Sequence, residues 1–368
     1  MAAIASAVPK SSPAIQEPKA ISIRTLAESD DLTSIPSTYV FNPNPNKEPE
    51  VVSDPGDSLP IVDFSLLAHG TPDQRSKAVQ DLGKACEEWG FFMVINHGVS
   101  ESLRKSLIDV CQKFFNMTVE EKKKYLPKSR LQPIKVGTSF NRSDDVHCWR
   151  DFLNVIVRPT FYCPDKPQEF SELLSEYTTA TREVLLTLLR GISESLGLGE
   201  DYIEKVSNQE SGFQMLVANL YPPCPQPDLA MGISTHTDDG LLNLLTENIS
   251  GGLQIIHDGQ WVYVKPAPNA FLVNVGDHIE ILSNGKYKSV LHRAIVNNKT
   301  TRVSMAVSMA PSIDTVVSPA PELTDADHPP AYLPMKYRDY LEIVHSEKAI
   351  GASVLDQIRV PLPPPPNN

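Results

Sequence analysis

Apolar residues recur along this chain with two different periods, and the change between them divides it. Up to about residue 198 the spacing is helical; beyond Gly212 it is two. Across 71–89, Ala78, Val79, Leu82, Ala85 and Cys86 fall on one helical face, and Gly90 supplies a stop. Residues 100–116 read as a second helix. Thr118 sits where a short third helix would be N-capped, with Glu120 and Glu121 in its first turn. The longest amphipathic run is 170–198, ended by Leu-Gly-Leu-Gly. Two short strands interrupt this half: the alternating 59–64 and the wholly apolar Phe91-Phe-Met-Val-Ile. After Gly212, Phe213, Met215, Val217, Asn219 and Tyr221 alternate with Gln214, Leu216, Ala218 and Leu220. Further strands are expected at 241–246, 252–256, 260–264, 270–275, 290–297 and 302–310. Many short strands broken by Gly and Pro turns predict a sandwich or jelly roll preceded by helices.

The ends lack such a pattern. Residues 1–57 are rich in Ala, Ser and Pro, and Asn42-Pro-Asn-Pro-Asn-Lys47 is loop chemistry, so this stretch is expected to be a flexible extension. Removing residues 1–30 should then leave the melting temperature nearly unchanged. Met1 to Ser12 contains no acid, as in a transit peptide, but its one basic residue is Lys10 and Glu17 soon follows, which argues against that reading. The tail Pro361-Leu-Pro-Pro-Pro-Pro reads as a disordered end.

Composition excludes several classes. The 368 residues are 41% hydrophobic and 21% charged, ordinary globular usage with ample length for a core. A net charge of −12 argues against nucleic acid or an anionic membrane as partner. No apolar run reaches the roughly 18 residues of a membrane span. The five cysteines are an odd, widely spaced set without C-x-x-C. They read as reduced thiols of a cytoplasmic protein, expected to be a monomer or weak dimer.

Candidate chemistry concentrates in the β half. Ser234-Thr-His-Thr-Asp-Asp-Gly carries His236 and Asp238 two residues apart. In extended chain such positions point to one side, so both can reach one ion. His292, in Ser289-Val-Leu-His-Arg-Ala, offers a second imidazole from another strand. Two imidazoles and one carboxylate match the facial triad of non-haem Fe(II) sites with open positions; zinc accepts the same donors. Ten residues on, Arg302 and Ser304 share one strand face that continues through Ala306, Ser308 and Ala310. This small-residue face suits a cavity lining, with Val303, Met305, Val307 and Met309 turned to helices. A cation beside an open iron site suits a chelating keto-acid with a second carboxylate. The plainer alternative is an ion pair between Arg302 and an Asp. Among other tempting residues, His97 reads as a turn histidine, Asp239 as a turn carboxylate and His278 as a strand-end residue outside the site. Trp89, Trp149 and Trp261 read as core, and Lys122-Lys-Lys124 as a solvated face.

Seven segments together carry a family resemblance. They are Leu59-Pro-Ile-Val-Asp-Phe, Ala85-Cys-Glu-Glu-Trp-Gly-Phe-Phe-Met-Val-Ile-Asn-His-Gly-Val99, Asn219-Leu-Tyr-Pro-Pro-Cys-Pro-Gln-Pro227, the His-x-Asp segment, Gly251-Gly-Leu-Gln-Ile-Ile, Asn274-Val-Gly-Asp277 and Arg302-Val-Ser304. The chain resembles the soluble plant 2-oxoglutarate- and Fe(II)-dependent dioxygenases over roughly 58–350. The resemblance implies an α+β, mainly β fold: a double-stranded β-helix (cupin-like jelly roll) with N-terminal helices packed on it. It implies an N-terminal dioxygenase domain at 58–165, a connecting helix region at 166–212, a jelly-roll domain at 213–313 and a C-terminal helix with Pro-rich tail at 314–368. By resemblance, His236, Asp238 and His292 are the catalytic Fe(II) ligands. Arg302, Ser304 and Tyr221 hold the distal carboxylate of 2-oxoglutarate, and Asn219 lies close to it. The implied reaction consumes O2, releases succinate and CO2, and uses ascorbate as reductant in vitro. Its substrate would be a hydrophobic plant small molecule: a phenylpropanoid, flavonoid, alkaloid or terpenoid. The outcome would be hydroxylation, or desaturation, demethylation or ring closure. Substrate choice is expected to lie in the N-terminal helices, 131–150, 302–310 and 331–350. A catalytically silent ligand-binding protein on the same scaffold and a zinc hydrolase are the competing readings.

Overall fold

Capping chemistry sets the first long helix. The Thr71 hydroxyl accepts from the Gln74 N–H, the Gln74 side chain accepts from the Thr71 N–H, and Pro72 fills a position that needs no donor. The helix runs Pro72–Glu88 and stops at Gly90, whose φ of +62° a side chain would strain. Glu101–Asn116 and the 26-residue Phe170–Ser195 follow. In this computed structural model the described residues are 22–41, 51–52, 59–129, 132–138, 146–248, 251–344 and 353–361.

The strands form two facing sheets. The larger has eight strands in the order Ile61–Asp63, Phe91–Ile95, Phe271–Val275, Leu242–Glu247, Arg302–Ala310, Phe213–Tyr221, Asp151–Arg158, Ile134–Gly137. The smaller has five: Val51–Val52, Gln260–Tyr263, Leu253–His257, His292–Ile295, Met231–His236. From Phe213 on, the chain passes back and forth between them. Phe213–Tyr221, Leu242–Glu247, Phe271–Val275 and Arg302–Ala310 join the larger sheet; the strands between them join the smaller. That winding is a double-stranded β-helix, and among the described residues its strands close no barrel.

One face of the larger sheet is dry. Leu216, Ala218, Leu244, Val303, Met305 and Val307 are fully buried against side chains of the three long helices, including Leu82, Leu107 and Leu188. The opposite face looks at the smaller sheet. There Met215, Val217, Leu245, Ala306 and Ser308 remain partly accessible, although they alternate with fully buried neighbours. Solvent therefore enters between the sheets. At one end that space is filled by Phe91, Met93, Leu253, Ile255 and Leu272.

The expected helices and strands are present within a few residues, and the Arg302 strand turns its Val/Met face to the helices as its period demands. The elements not foreseen include strands Ile134–Gly137, Asp151–Arg158 and Met231–His236, the last carrying His236, and helices Phe64–His69, Tyr202–Val206 and Asp277–Leu282. His278 is thus a buried helix residue, not a strand end. His97 is a turn residue bonded to the Asn269 carbonyl and the Val99 N–H. Lys122 departs from the solvated-face reading: its ammonium donates to the Phe115 carbonyl and its stem is half-buried.

The expected flexible extension at 1–57 is corrected where it is described. Helix Ile23–Ala27 and the turn Ser37–Tyr39 pack on the β-helix. Ile23, Ile35 and Tyr39 are buried with Trp149, Tyr221 and Val296. Asp151 clamps the helix start, accepting from the Ser22 hydroxyl at 2.5 Å and the Ile23 N–H at 2.9 Å. Val51–Val52 adds a parallel edge to the smaller sheet. The apolar residues here are sparse, but Ile23, Ile35 and Tyr39 meet an apolar surface supplied by other elements, so their burial does not need periodicity. The transit-peptide reading, the 42–47 loop and the proline tail beyond Pro361 lie outside the described residues.

Candidate active site

Two strands of the smaller sheet bring the imidazoles together. His236 ends Met231–His236 and His292 begins His292–Ile295, and the two are direct register partners. Their ring centroids are 4.2 Å apart. Each Nδ1 faces a backbone carbonyl two residues back: His236 to Ser234 at 2.8 Å, His292 to Val290 at 3.1 Å. A carbonyl can only accept, so Nδ1 carries the proton and Nε2 presents its lone pair. Asp238 lies between them, its oxygens 3.7 Å from His236 Nε2 and 3.5 Å from His292 Nε2. One donor atom from each residue fits within 4.8 Å of the others, a spacing suited to one ion.

The ligand loop is held from beneath. Asn274 Nδ2 donates to Asp238 Oδ2 at 2.8 Å and fixes the carboxylate's rotation. The Asp277 N–H donates to the Asp238 carbonyl at 2.8 Å, and His278 Nδ1 donates to the Asp239 carbonyl at 2.7 Å. Gly276 is required here, because a Cβ would lie 2.3 Å from the Gly240 carbonyl. Asp277 itself is buried and accepts from Tyr340 and Thr237. Burial pushes its carboxyl up to about 7 and the His278 imidazole down to about 4.

Arg302 and its companions form the second half of the site. Arg302 is 3% exposed. In register it faces Tyr221, and its guanidinium carbon lies 4.9 Å from that ring's centre. Ser304 faces Asn219 on one side and Glu247 on the other. The expected partner of Arg302 was an Asp or a bound dicarboxylate. The structure pairs it with Glu247: Nε and Nη2 donate to Oε2 at 2.8 and 2.6 Å. Burial opposes the guanidinium charge, yet Glu247 outweighs it and the net shift is upward. Nη1 is buried without a hydrogen-bond partner. A buried cationic N–H left in that state is costly, and it is the feature that fits an incoming carboxylate. Gly252 allows this packing: a Cβ there would sit 3.2 Å from Arg302 Cδ. Asn219 is engaged otherwise, accepting from Arg150 Nη1 at 2.7 Å.

All seven expected site residues therefore lie on the two facing sheets or the loop joining them. Glu247, Asn274 and Asp277 were missed. The signal lies in the polar residues Asn243, Thr246 and Glu247 among the leucines of 242–247, and in Asn274-Val-Gly-Asp277. Of the segments expected to select substrate, residues 131, 139–145 and 345–350 lie outside the described residues.

Comparison with known proteins agrees with this geometry. The model of the 2OG-Fe(II) oxygenase superfamily matches residues 212–311. That of the non-haem dioxygenase N-terminal region in morphine synthesis matches 59–176. The 2-oxoglutarate-dependent dioxygenase 19 of Oryza sativa subsp. japonica is 46% identical over 308 residues, covering 83% of this chain and 91% of that protein. Flavanone 3-dioxygenase 2 of the same organism is 37% identical over 330 residues, covering 85% and 94%. The crystal structure of JOX2 with 2OG, Fe and JA superposes with a TM-score of 0.82 at 32% identity, covering 93% of this chain and 98% of that one.

Proposed function

Because this chain belongs to the 2-oxoglutarate- and Fe(II)-dependent oxygenase superfamily, we propose that His236, Asp238 and His292 are its iron ligands, Arg302 its 2-oxoglutarate anchor, and a hydrophobic plant small molecule its substrate. The enzyme class and cofactors follow from the family: an oxidoreductase using Fe(II), 2-oxoglutarate and O2. The observation that carries the residue assignment is the pairing of two features between the same sheets. One is three converging donor atoms; the other is a buried guanidinium with one unsatisfied N–H.

When bound, the iron activates O2 for substrate oxidation coupled to decarboxylation of 2-oxoglutarate to succinate and CO2. The protein's residues supply position. The Ser234 and Val290 carbonyls hold both imidazoles in the Nε2-presenting tautomer, and Asn274 holds Asp238. Glu247 holds the guanidinium through Nε and Nη2 and leaves Nη1 for the distal carboxylate, with Tyr221 and Ser304 on the same strand pair. The apolar plug of Phe91, Met93 and Ile255 would keep water from the His292 side of the site, where the Phe91 ring lies 5.3 Å from the imidazole.

The small-residue face of Ala306 and Ser308 supports a bulky ring system as substrate, and hydroxylation is the simplest outcome. A relative named for flavanone and a structure holding JA support a small-molecule substrate. The free cysteines support a reducing, cytoplasmic location. The test is anaerobic Fe(II) titration followed by succinate release in air. Alanine at His236, Asp238 or His292 should abolish both; more than a tenth of wild-type activity in any one would count against this ligand set.

A further inference from the structure

Two asparagines on the cavity face have no work in the mechanism above. Asn243 is 5% exposed and its Nδ2 is buried without a partner among the described residues. Asn154 has its Oδ1 in the same state. An orphaned buried amide is destabilising and is found where something else completes it.

Their placement follows from register. Asn243 pairs with Asn274, which holds Asp238, and with Ser308 on its other side. It thus lies directly beside the metal loop. Asn154 pairs with Val217, Val217 with Ala306, and Ala306 with Leu245. That row is apolar between Asn154 and Leu245, and Asn243 is two residues along the strand from Leu245. The two amides are three strand spacings and two residues apart, roughly 16 Å on a flat sheet and less on a curled one. Glu247 stands on the next row, opposite Ser304, and Arg302 one row beyond it, so the apolar stretch is separate from the carboxylate anchor.

We infer that this stretch is the substrate bed, and that the substrate is an elongated, largely apolar ring molecule with an oxygen group at each end. A hydroxyl at the far end donates to Asn154 Oδ1. A carbonyl or hydroxyl oxygen at the metal-proximal end accepts from Asn243 Nδ2. The apolar middle, with its small Ala306, takes a flat ring. This deepens the reading of the site as a small-molecule oxygenase and rests on it.

The test uses matched ring pairs on the Fe(II)- and 2-oxoglutarate-loaded protein kept anaerobic: naringenin against flavanone, 4,4′-biphenol against biphenyl, oestradiol against oestra-1,3,5(10)-triene. Calorimetry reads affinity. At least one hydroxylated member should bind about tenfold or more tighter than its parent. Asn243→Leu and Asn154→Leu should each erase most of that preference, leave the 2-oxoglutarate Kd within about twofold, and melt no lower than wild type. The inference is overturned if no pair shows a preference, if the leucine variants keep it, or if they melt many degrees lower, which would make the amides structural. A loss of 2-oxoglutarate binding in Asn243→Leu also overturns it, by assigning that amide to the cosubstrate. Failure of wild-type protein to bind Fe(II) or 2-oxoglutarate at all would instead sink the metal and anchor assignment.

Discussion

Replacing Glu247 by Gln should tighten 2-oxoglutarate binding and at the same time weaken the ligand-free fold. One edge of the Arg302 guanidinium is taken by Glu247 Oε2, through Nε and Nη2, and both side chains are under a tenth exposed. A dicarboxylate arriving at Nη1 brings a second anion to the same cation. Two carboxylates on different edges of one guanidinium sit roughly 6 Å apart, and at an effective dielectric of ~20 their repulsion is about 3 kcal/mol. Full relief would be about a hundredfold in affinity, and half of it about tenfold. Gln retains a carbonyl oxygen that can accept both N–H groups, so the orientation of Arg302 survives. Without ligand, however, the variant buries a guanidinium with no counter-charge. Breaking a buried pair typically costs ~3–5 kcal/mol, reduced here by the retained acceptor. Calorimetric titration of 2-oxoglutarate into anaerobic Fe(II)-loaded protein reads the first effect, and thermal melts with and without 2-oxoglutarate read the second. The variant should melt lower alone and gain more from the ligand than wild type does. Weaker or unchanged binding in a normally melting Glu247→Gln protein would refute the competition between the two carboxylates.

Other expectations follow from the same structure. Asn274→Ala should lower Fe(II) affinity about 10- to 100-fold with little change in secondary structure, since it frees Asp238 to rotate; competition against a fluorescent chelator measures this, and an unchanged affinity would remove Asn274 from the site. Ile23→Ala should cost about 2–5 kcal/mol, because that side chain is fully buried against the Trp149 and Tyr221 cluster; a denaturant midpoint equal to wild type would restore the view of residues 22–41 as dispensable. His278 contributes a pH dependence: its folded value of about 4 lies below the ordinary 6.5, so the unfolded chain takes the proton first. Its stability is therefore full above about pH 6.5 and falls as pH drops toward 4, by on the order of 3 kcal/mol in total. Asp277 acts oppositely, since its carboxyl, raised to about 7, gains stability as pH falls. His278→Gln should therefore make acidification from about pH 6.5 to about 4 less destabilising than in wild type, and an unaltered slope would exclude a contribution from His278.

Local spacing made much of the site legible. His-x-Asp on extended chain needs no tertiary information to point two donors one way, and the Arg302 strand announces its two faces by alternation. The helices were equally legible, since their apolar stripes and stops are periodic features of consecutive residues. What failed was the partner of Arg302 and the packing of the N-terminal segment, both set by residues distant in sequence. Arg302 was expected to meet an Asp or a ligand, but Glu247, 55 residues away, reached it because the winding makes their strands neighbours. Segment 22–41 looked featureless, yet Ile23, Ile35 and Tyr39 are buried by a surface made of Trp149, Tyr221 and Val296.

By itself the sequence determined which residue types could make the chemistry and the period on which each strand and helix would show them, because both depend only on covalent geometry and neighbours a few positions apart. Tertiary structure alone decided which of those side chains would be completed by one another and which would be left for ligands. The unsatisfied Nη1 of Arg302 and the amides of Asn154 and Asn243 are visible only once every nearby donor and acceptor has been placed. Satisfaction is a property of the folded interior, where each buried polar atom must find its partner in protein or in substrate.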